Sequence, residues 1–379
     1  MRKLPKINTL VIKIGSSIIA GKEDIDQQFL ARFSEILSQI KNVIPNIIIV
    51  SSGAVTAGFK YLGFSSKPSD IIDRQACASV GQARLIHFYE ESLKEYDLKV
   101  AQILITKDDF SNRKRYINAR STIKRLLDFN VIPIINENDT VAINELKYVD
   151  TFGDNDNLSA LVSGLVNADL LLILSDVDGL YDKNPAIYKD AQLISEVKYF
   201  NDDILNVAGG SVSGVGTGGM KTKLLAAQKA LDAGCYVGII NGKHPENIKK
   251  FLDGENVGTF FSHIEDPKKR KKFWIAYAAS AKGEIMVDDG AVKALTEMNR
   301  SLLPSGIIDV IGKFSNGDIV KVVDVWGNEI ARGKTRYSSN DLKKIKGIKT
   351  DKISNILGYK ISDEIIHKDD LVITKINGG

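Results

Sequence analysis

Two cysteines, Cys77 and Cys235, are all that the 379 residues contain. They cannot form a disulfide framework, and with no CxxC spacing they offer neither a zinc nor a redox motif. A cytoplasmic chain with buried thiols is expected. Long apolar runs are missing too: stretches such as Leu170 to Leu174 fall far short of the roughly 20 residues of a membrane helix, so no transmembrane span is expected. The start has a basic head and an apolar stretch, but Lys13 interrupts it and no small-residue cleavage site follows, which argues against a secretory signal. Prolines number eight, against 44% hydrophobic and 26% charged residues, which excludes disordered and collagen-like classes. His87, His244, His263 and His367 fall in no Ser/His/Asp or Cys/His arrangement, so a hydrolase that needs a general base has little support. A GxxxxGK[ST] loop is absent, because Met220 stands where its lysine would be, and protein-kinase motifs are absent as well.

What is present reads as a folded protein of two or three domains. Through the first 245 residues, short β-branched runs alternate with amphipathic stretches. The runs are Leu10 to Ile14, Ile47 to Val50, Val100 to Ile105, Val131 to Ile135, Leu170 to Leu174 and Tyr236 to Ile240. The helical stretches are Phe29 to Ile44, Cys77 to Tyr96, Tyr116 to Phe129, Leu158 to Val166 and Met220 to Ala233. This predicts an α/β fold, a mainly parallel sheet sandwiched by helices. The alternation stops at a proline followed by five basic residues, Lys268 to Lys272, which reads as a solvated linker or a helix start. Short strand-like runs follow: Glu284 to Val287, Ile307 to Ile311, Ile319 to Val325 and Leu371 to Ile376. Together they predict a small β-rich domain. The net charge of +4 divides into −2 for residues 1–265 and +6 for the remainder.

Glycines cluster where predicted strands end, in Lys13–Ile14–Gly15–Ser16–Ser17, in Ser51–Ser52–Gly53–Ala54, and in Gly214 to Gly219 ahead of the last long helix. Such turns let backbone amides approach an anion, at the sheet edge where α/β folds bind ligands, although they also serve packing alone. The GxGxxG of the third loop does not follow a strand directly, which argues against a dinucleotide fingerprint. Lys13 interrupts an apolar strand, where a lysine is unfavourable unless its ammonium meets an anion. Lys223 lies near the start of a helix, the wrong end for a cation. Together they suggest a phosphate clamp. Asn136–Glu137–Asn138–Asp139 and Gly153–Asp154–Asn155–Asp156–Asn157 are read as turns and caps singly, and as a polar substrate site jointly. Asp139 would accept from an ammonium, Asn155 would bind an amide-like or carboxylate edge, and Asp156 would hold the lysines.

These motifs, with Ser175–Asp176–Val177–Asp178–Gly179–Leu180–Tyr181 and Thr217–Gly218–Gly219–Met220–Lys221–Thr222–Lys223, occur in the order seen in the glutamate 5-kinase family. The resemblance covers essentially the whole chain and implies the amino-acid kinase fold over residues 1–265, a basic linker at 266–275 and a PUA domain over 276–379. The PUA likeness rests on Gly283 to Ala291 and Ser301 to Ile307. The implied reaction is ATP-dependent phosphorylation of the side-chain carboxylate of L-glutamate, at the start of proline synthesis.

By the same resemblance Lys13, Lys223 and Asp156 are the catalytic residues, and Ser52, Asp139 and Asn155 bind glutamate. Lys13, Gly15, Ser175, Asp176, Thr217, Gly218, Gly219, Met220, Lys221, Thr222 and Lys223 bind ATP. Mg²⁺ arrives with ATP and no protein metal ligand is assigned. Proline is the expected feedback inhibitor and a homo-oligomer the expected assembly. The stretch Asn144 to Phe152 looks longer than usual for the family. An acetylglutamate kinase is the nearest rival. RNA binding through the basic C-terminal domain, with Lys343 to Lys349 as a contact face, is the rival from another class.

Overall fold

The structure, a computed structural model, describes residues 2–21, 24–141, 155–201, 203–205, 219–262 and 272–374. The chain divides into two compact units, Met1–Phe110 with Lys114–Arg270, and Lys271–Gly379 with Ser111–Arg113.

The first unit is built on β1 (Thr9–Ile14), β2 (Asn46–Ser51), β3 (Lys99–Ile105), β4 (Val131–Glu137), β5 (Leu170–Ser175), β6 (Glu196–Val197), β7 (Tyr236–Asn241) and β8 (Thr259–Phe261). They lie in the order β3-β4-β2-β1-β5-β7-β8-β6. The pairs from β3 across to β7 are parallel, while β7 and β8 run antiparallel. The six anticipated strands appear within two residues of their expected ends. β6 and β8, two and three residues long, carry too little pattern to be read from sequence. Chain order reverses at β1, which has β2 on one side and β5 on the other, so the carboxyl end of β1 is where a ligand is expected.

The helices between these strands are α1 (Ser16–Ile19), α2 (Gln27–Lys41), α3 (Ala54–Phe59), α4 (Ile71–Lys94), α5 (Lys107–Ser111), α6 (Arg113–Asp128), α7 (Asn155–Val166), α8 (Met220–Asp232) and α9 (Glu246–Leu252). Local chemistry sets their ends: the Asp26 carboxylate accepts from Phe29 N at the start of α2, and Asp70 accepts from Ile72 N and Asp73 N at the start of α4. Such caps are worth about 1 kcal/mol each. Phe29, Phe33 and Leu37 of α2 share one apolar core with Leu10, Ile12 and Ile14 of β1, each large side chain contributing about 1.5–3 kcal/mol by leaving water.

Two glycines govern the approach of α4 to α3. A Cβ on Gly58 would lie 1.9 Å from Cys77 O, and one on Gly81 would lie 1.8 Å from Ala54 O. The two helices therefore touch backbone to backbone, and α3 starts immediately after Gly53, whose φ of +114° favours glycine. That contact brings α4 beside the end of β2.

The second unit holds β9 (Gly283–Val287), β10 (Ile307–Gly312), β11 (Ile319–Val323), β12 (Glu329–Lys334) and β13 (Leu371–Ile373), with α10 (Asp289–Thr296) and α11 (Ser339–Ile345). The sheet order is β10-β9-β11-β12-β13, over a core that includes Ile285, Val310, Val320, Val322, Tyr337 and Leu342. One sequence expectation is corrected here. The run Ile319 to Val325 ends as a strand at Val323, because the Asp324 carboxylate accepts from Trp326 N and Asn328 N and closes a turn. That turn leads into β12, whose polar and glycine-containing sequence hides a strand. Ile376, the expected end of the last strand, lies outside the described residues. Among the described residues no helix is long and apolar enough to cross a membrane.

Candidate active site

Lys13 sits in β1 between two parallel neighbours, opposite Val50 of β2 and Ile173 of β5. It is only 5% exposed, and Lys223, in the first turn of α8, is 6% exposed. Asp156, the second residue of α7, is fully buried between them. Lys13 Nζ lies 2.5 Å from Asp156 Oδ1 and Lys223 Nζ lies 3.2 Å from Oδ2. Thr222 Oγ1 also lies 3.1 Å from Oδ2. Burial pushes the Asp156 carboxyl up, but the two ammonium groups and their hydrogen bonds more than reverse this, holding it below the usual carboxylate range. Two ammonium groups thus meet at one buried carboxylate at the carboxyl end of β1, where an anionic ligand is expected. Gly15 keeps that place open, since a Cβ there would come within 3.3 Å of Lys13 Nζ.

A second polar group lines the ends of β2 and β4. Asn155 Nδ2 donates to Ser52 Oγ at 2.6 Å and to Asn136 Oδ1 at 3.1 Å. Asn155 and Asp156 are adjacent in α7, so one helix start supplies both the lysine anchor and this contact. The end of β2 is fixed from behind by Tyr89 of α4, whose buried hydroxyl is 2.8 Å from Ser51 Oγ.

Beyond β4, Asn138 N donates to Ile105 O at 3.1 Å, and the Thr140 and Ser79 hydroxyls lie 3.0 Å apart, tying this turn to α4. Burial pushes the Glu137 carboxyl up to about 7, with the neighbouring Asp139 charge adding to it. Burial also raises Asp139, against the pull of Arg74.

At the end of β5, Ser175 is buried and its Oγ lies 3.4 Å from Asp176 Oδ1. Gly219 caps α8, and its carbonyl accepts from Thr222 N and Thr222 Oγ1. Met220 and Lys221 open that helix. Thr217, Gly218 and the Asn144 to Phe152 stretch lie outside the described residues. The structure thus joins Lys13, Asp156, Lys223 and Thr222 in one cluster, and Ser52 with Asn155 in another. Asn136, Glu137 and Tyr89 are additions that sequence reasoning did not single out. The first two stood inside a quoted motif, whereas Tyr89 gives no local signal.

A model of the amino acid kinase family matches residues 8–241, which is more than half of the chain. The chain belongs to the amino acid kinase family. The clusters just described all lie within that match or at its strand ends. In this amino acid kinase a PUA domain model matches residues 283–357, inside the second unit. Curated relatives extend over almost the whole length. A glutamate 5-kinase of Caldanaerobacter subterraneus subsp. tengcongensis is 45% identical, covering 96% of this chain and 97% of its own. Glutamate 5-kinases of Geobacter sulfurreducens and Citrifermentans bemidjiense are each 46% identical, covering 98% of this chain and 98% and 100% of their own.

Proposed function

We propose that this kinase is a glutamate 5-kinase, which transfers the γ-phosphoryl group of ATP to the side-chain carboxylate of L-glutamate. The products are L-glutamyl 5-phosphate and ADP, in the first step of proline biosynthesis. Identity of 45–46% across nearly all of both chains supports the substrate. The observation that carries the chemistry is the buried pair of lysines sharing Asp156.

A carboxylate oxygen of glutamate attacks the γ-phosphorus, the bond to the bridging oxygen breaks, and its electron pair leaves with ADP. The acceptor is already ionised at neutral pH, so no general base has to act. What remains is positioning and charge stabilisation. Lys13 and Lys223 neutralise the charge that shifts from the transferred group to the leaving oxygen, and Asp156 fixes both ammonium groups. At about 4 Å and an effective dielectric near 20, one such pair interacts by about 4 kcal/mol. Each 1.36 kcal/mol off the barrier is about tenfold in rate, so a fraction of that gain matters by orders of magnitude.

Ser52, Asn155 and Asp139 hold glutamate, Asp139 taking the ammonium. Gly15, Ser175, Asp176 and the 217–223 segment, with Thr217 and Gly218, hold ATP, which enters as its Mg²⁺ complex. The same reading includes proline as feedback inhibitor, a homo-oligomer and a cytoplasmic setting, the last supported by two buried free thiols. RNA is a weaker partner for the basic face of the second unit, because Lys346 is already paired with Asp309 at 2.7 Å.

The test is ATP-dependent hydroxamate formation, which traps an acyl phosphate, run with L-glutamate and with N-acetyl-L-glutamate, each with and without proline. Trapping with L-glutamate, suppressed by proline, is expected. Turnover of the acetylated compound alone would assign the chain to a different acceptor, because an N-acyl group has no ammonium for Asp139.

A further inference from the structure

Gln82 lies on α4, one residue beyond the glycine that lets this helix touch α3, and is 7% exposed. Its Oε1 accepts from Asn136 Nδ2 at 2.9 Å. Asn136 Oδ1 accepts from Asn155 Nδ2, which also donates to Ser52 Oγ. Four side chains from α4, β4, α7 and the end of β2 therefore form one file of hydrogen bonds. Donation in it starts at Asn155, which gives one N–H to Ser52 Oγ and one to Asn136 Oδ1, and continues from Asn136 Nδ2 to Gln82 Oε1, the terminal acceptor. Gln82 Nε2 is buried with no hydrogen-bond partner among the described residues. An unpaired buried amide N–H₂ costs free energy, yet Gln82 turns Oε1 and not Nε2 toward Asn136, which raises the question of what depends on this orientation.

Something does depend on it. Because Asn155 spends its N–H₂ group on Ser52 Oγ and Asn136 Oδ1, the Ser52 hydroxyl keeps its hydrogen to donate, and Asn155 keeps Oδ1 as an acceptor. A carboxylate ligand needs a donor from Ser52. Were the file reversed, Asn155 would present Oδ1 to Ser52 and take that hydrogen.

We infer that Gln82 is a positioning residue for the amino-acid substrate: as the terminal acceptor it fixes the direction of the Gln82–Asn136–Asn155–Ser52 file, so that Ser52 offers its hydrogen to the substrate carboxylate. The inference rests on the glutamate 5-kinase reading and deepens it. Gln82 touches neither lysine of the phosphoryl cluster, so it acts on glutamate affinity and leaves ATP alone.

The experiment compares wild type with Gln82→Met, which keeps the volume but removes the acceptor, and Gln82→Glu, which keeps it. KM for L-glutamate and for MgATP, kcat and Tm are measured from pH 6 to 9. Gln82→Met is expected to raise KM for glutamate at least tenfold, with KM for MgATP within twofold of wild type. Gln82→Glu is expected to stay near wild type at pH 6, where its buried carboxyl is neutral. The ratio of its KM to the wild-type value then rises with pH as the new charge repels the substrate. An unchanged glutamate KM in Gln82→Met, or equal losses for both substrates, overturns the inference. If Gln82→Met does not fold, the pH dependence of the Gln82→Glu ratio decides alone, and a flat ratio overturns it. Wild-type enzyme that fails to turn over L-glutamate overturns the functional reading and takes this inference with it, whereas normal wild-type turnover with indifferent variants sinks the inference only.

Discussion

Lys13 and Lys223 are 210 positions apart in the chain, yet their ammonium groups bind the two oxygens of one fully buried carboxylate, that of Asp156. Desolvation of three ionic groups is expensive, and gathering two ammonium groups at one carboxylate suits a place that receives an anion.

Removal of one cation tests this directly. Lys223→Ala is expected to lower kcat by about 100-fold or more, the scale seen when one stabilising donor is lost from a transition state, while KM for glutamate changes by less than about threefold. Steady-state kinetics in both substrates would show it, and an unchanged kcat removes Lys223 from the mechanism.

Neutralising the shared anion has the opposite emphasis. Asp156→Asn leaves two buried ammonium groups facing each other, a loss on the order of 3–5 kcal/mol, visible as a lower Tm at neutral pH. The Asp156 pKa is depressed by folding, so its contribution is present above the unfolded value near 4 and disappears as pH falls through the lower folded value. Tm profiles of wild type and Asp156→Asn should therefore converge in acid below about pH 4; a constant gap down to strong acid would contradict the assignment.

Glu137 gives a signature near neutrality. With its carboxyl pushed up to about 7 by burial and by Asp139, it is neutral below that value and charged above it. A second negative charge beside Asp139 favours the substrate ammonium, so KM for glutamate should fall as pH rises through 7. Glu137→Gln should flatten that step and leave the KM for MgATP unaltered. Parallel profiles in the two proteins would rule Glu137 out.

The helix contact is testable by stability. Gly81→Ala places a methyl where Ala54 O stands, and overpacking of this kind costs about 1–3 kcal/mol. A lower denaturation midpoint is expected, with a larger loss in glutamate affinity than in ATP affinity, because α4 backs the ends of β2 and β4. Wild-type stability in this variant would mean that the helices can separate freely.

Much of this was legible in the sequence because the signals were local and unfavourable. A lysine inside the apolar run of β1, and another at the positive end of a helix, each violate a simple preference, and both violations meet at the Asp156 carboxylate. Asp156 was visible as part of an Asx-rich motif, but its meeting with both lysines joins α7, β1 and α8, which no spacing encodes. Gln82 had no signal at all: a glutamine on an amphipathic helix reads as a solvent-facing residue, and only the backbone contact at Gly58 and Gly81 turns it inward. β12 was missed for a related reason, since its hydrophobic positions are too few to stand out from the turn before it.

Gln82 and Tyr89 hang from the same helix, seven positions apart, one engaging Asn136 and the other Ser51. At about 100° per residue, seven steps return almost to the starting direction. A single deletion between them would swing one side chain a quarter of the way around the axis while its companion stayed put. The length of that short stretch is therefore as strict a requirement as the identity of either residue.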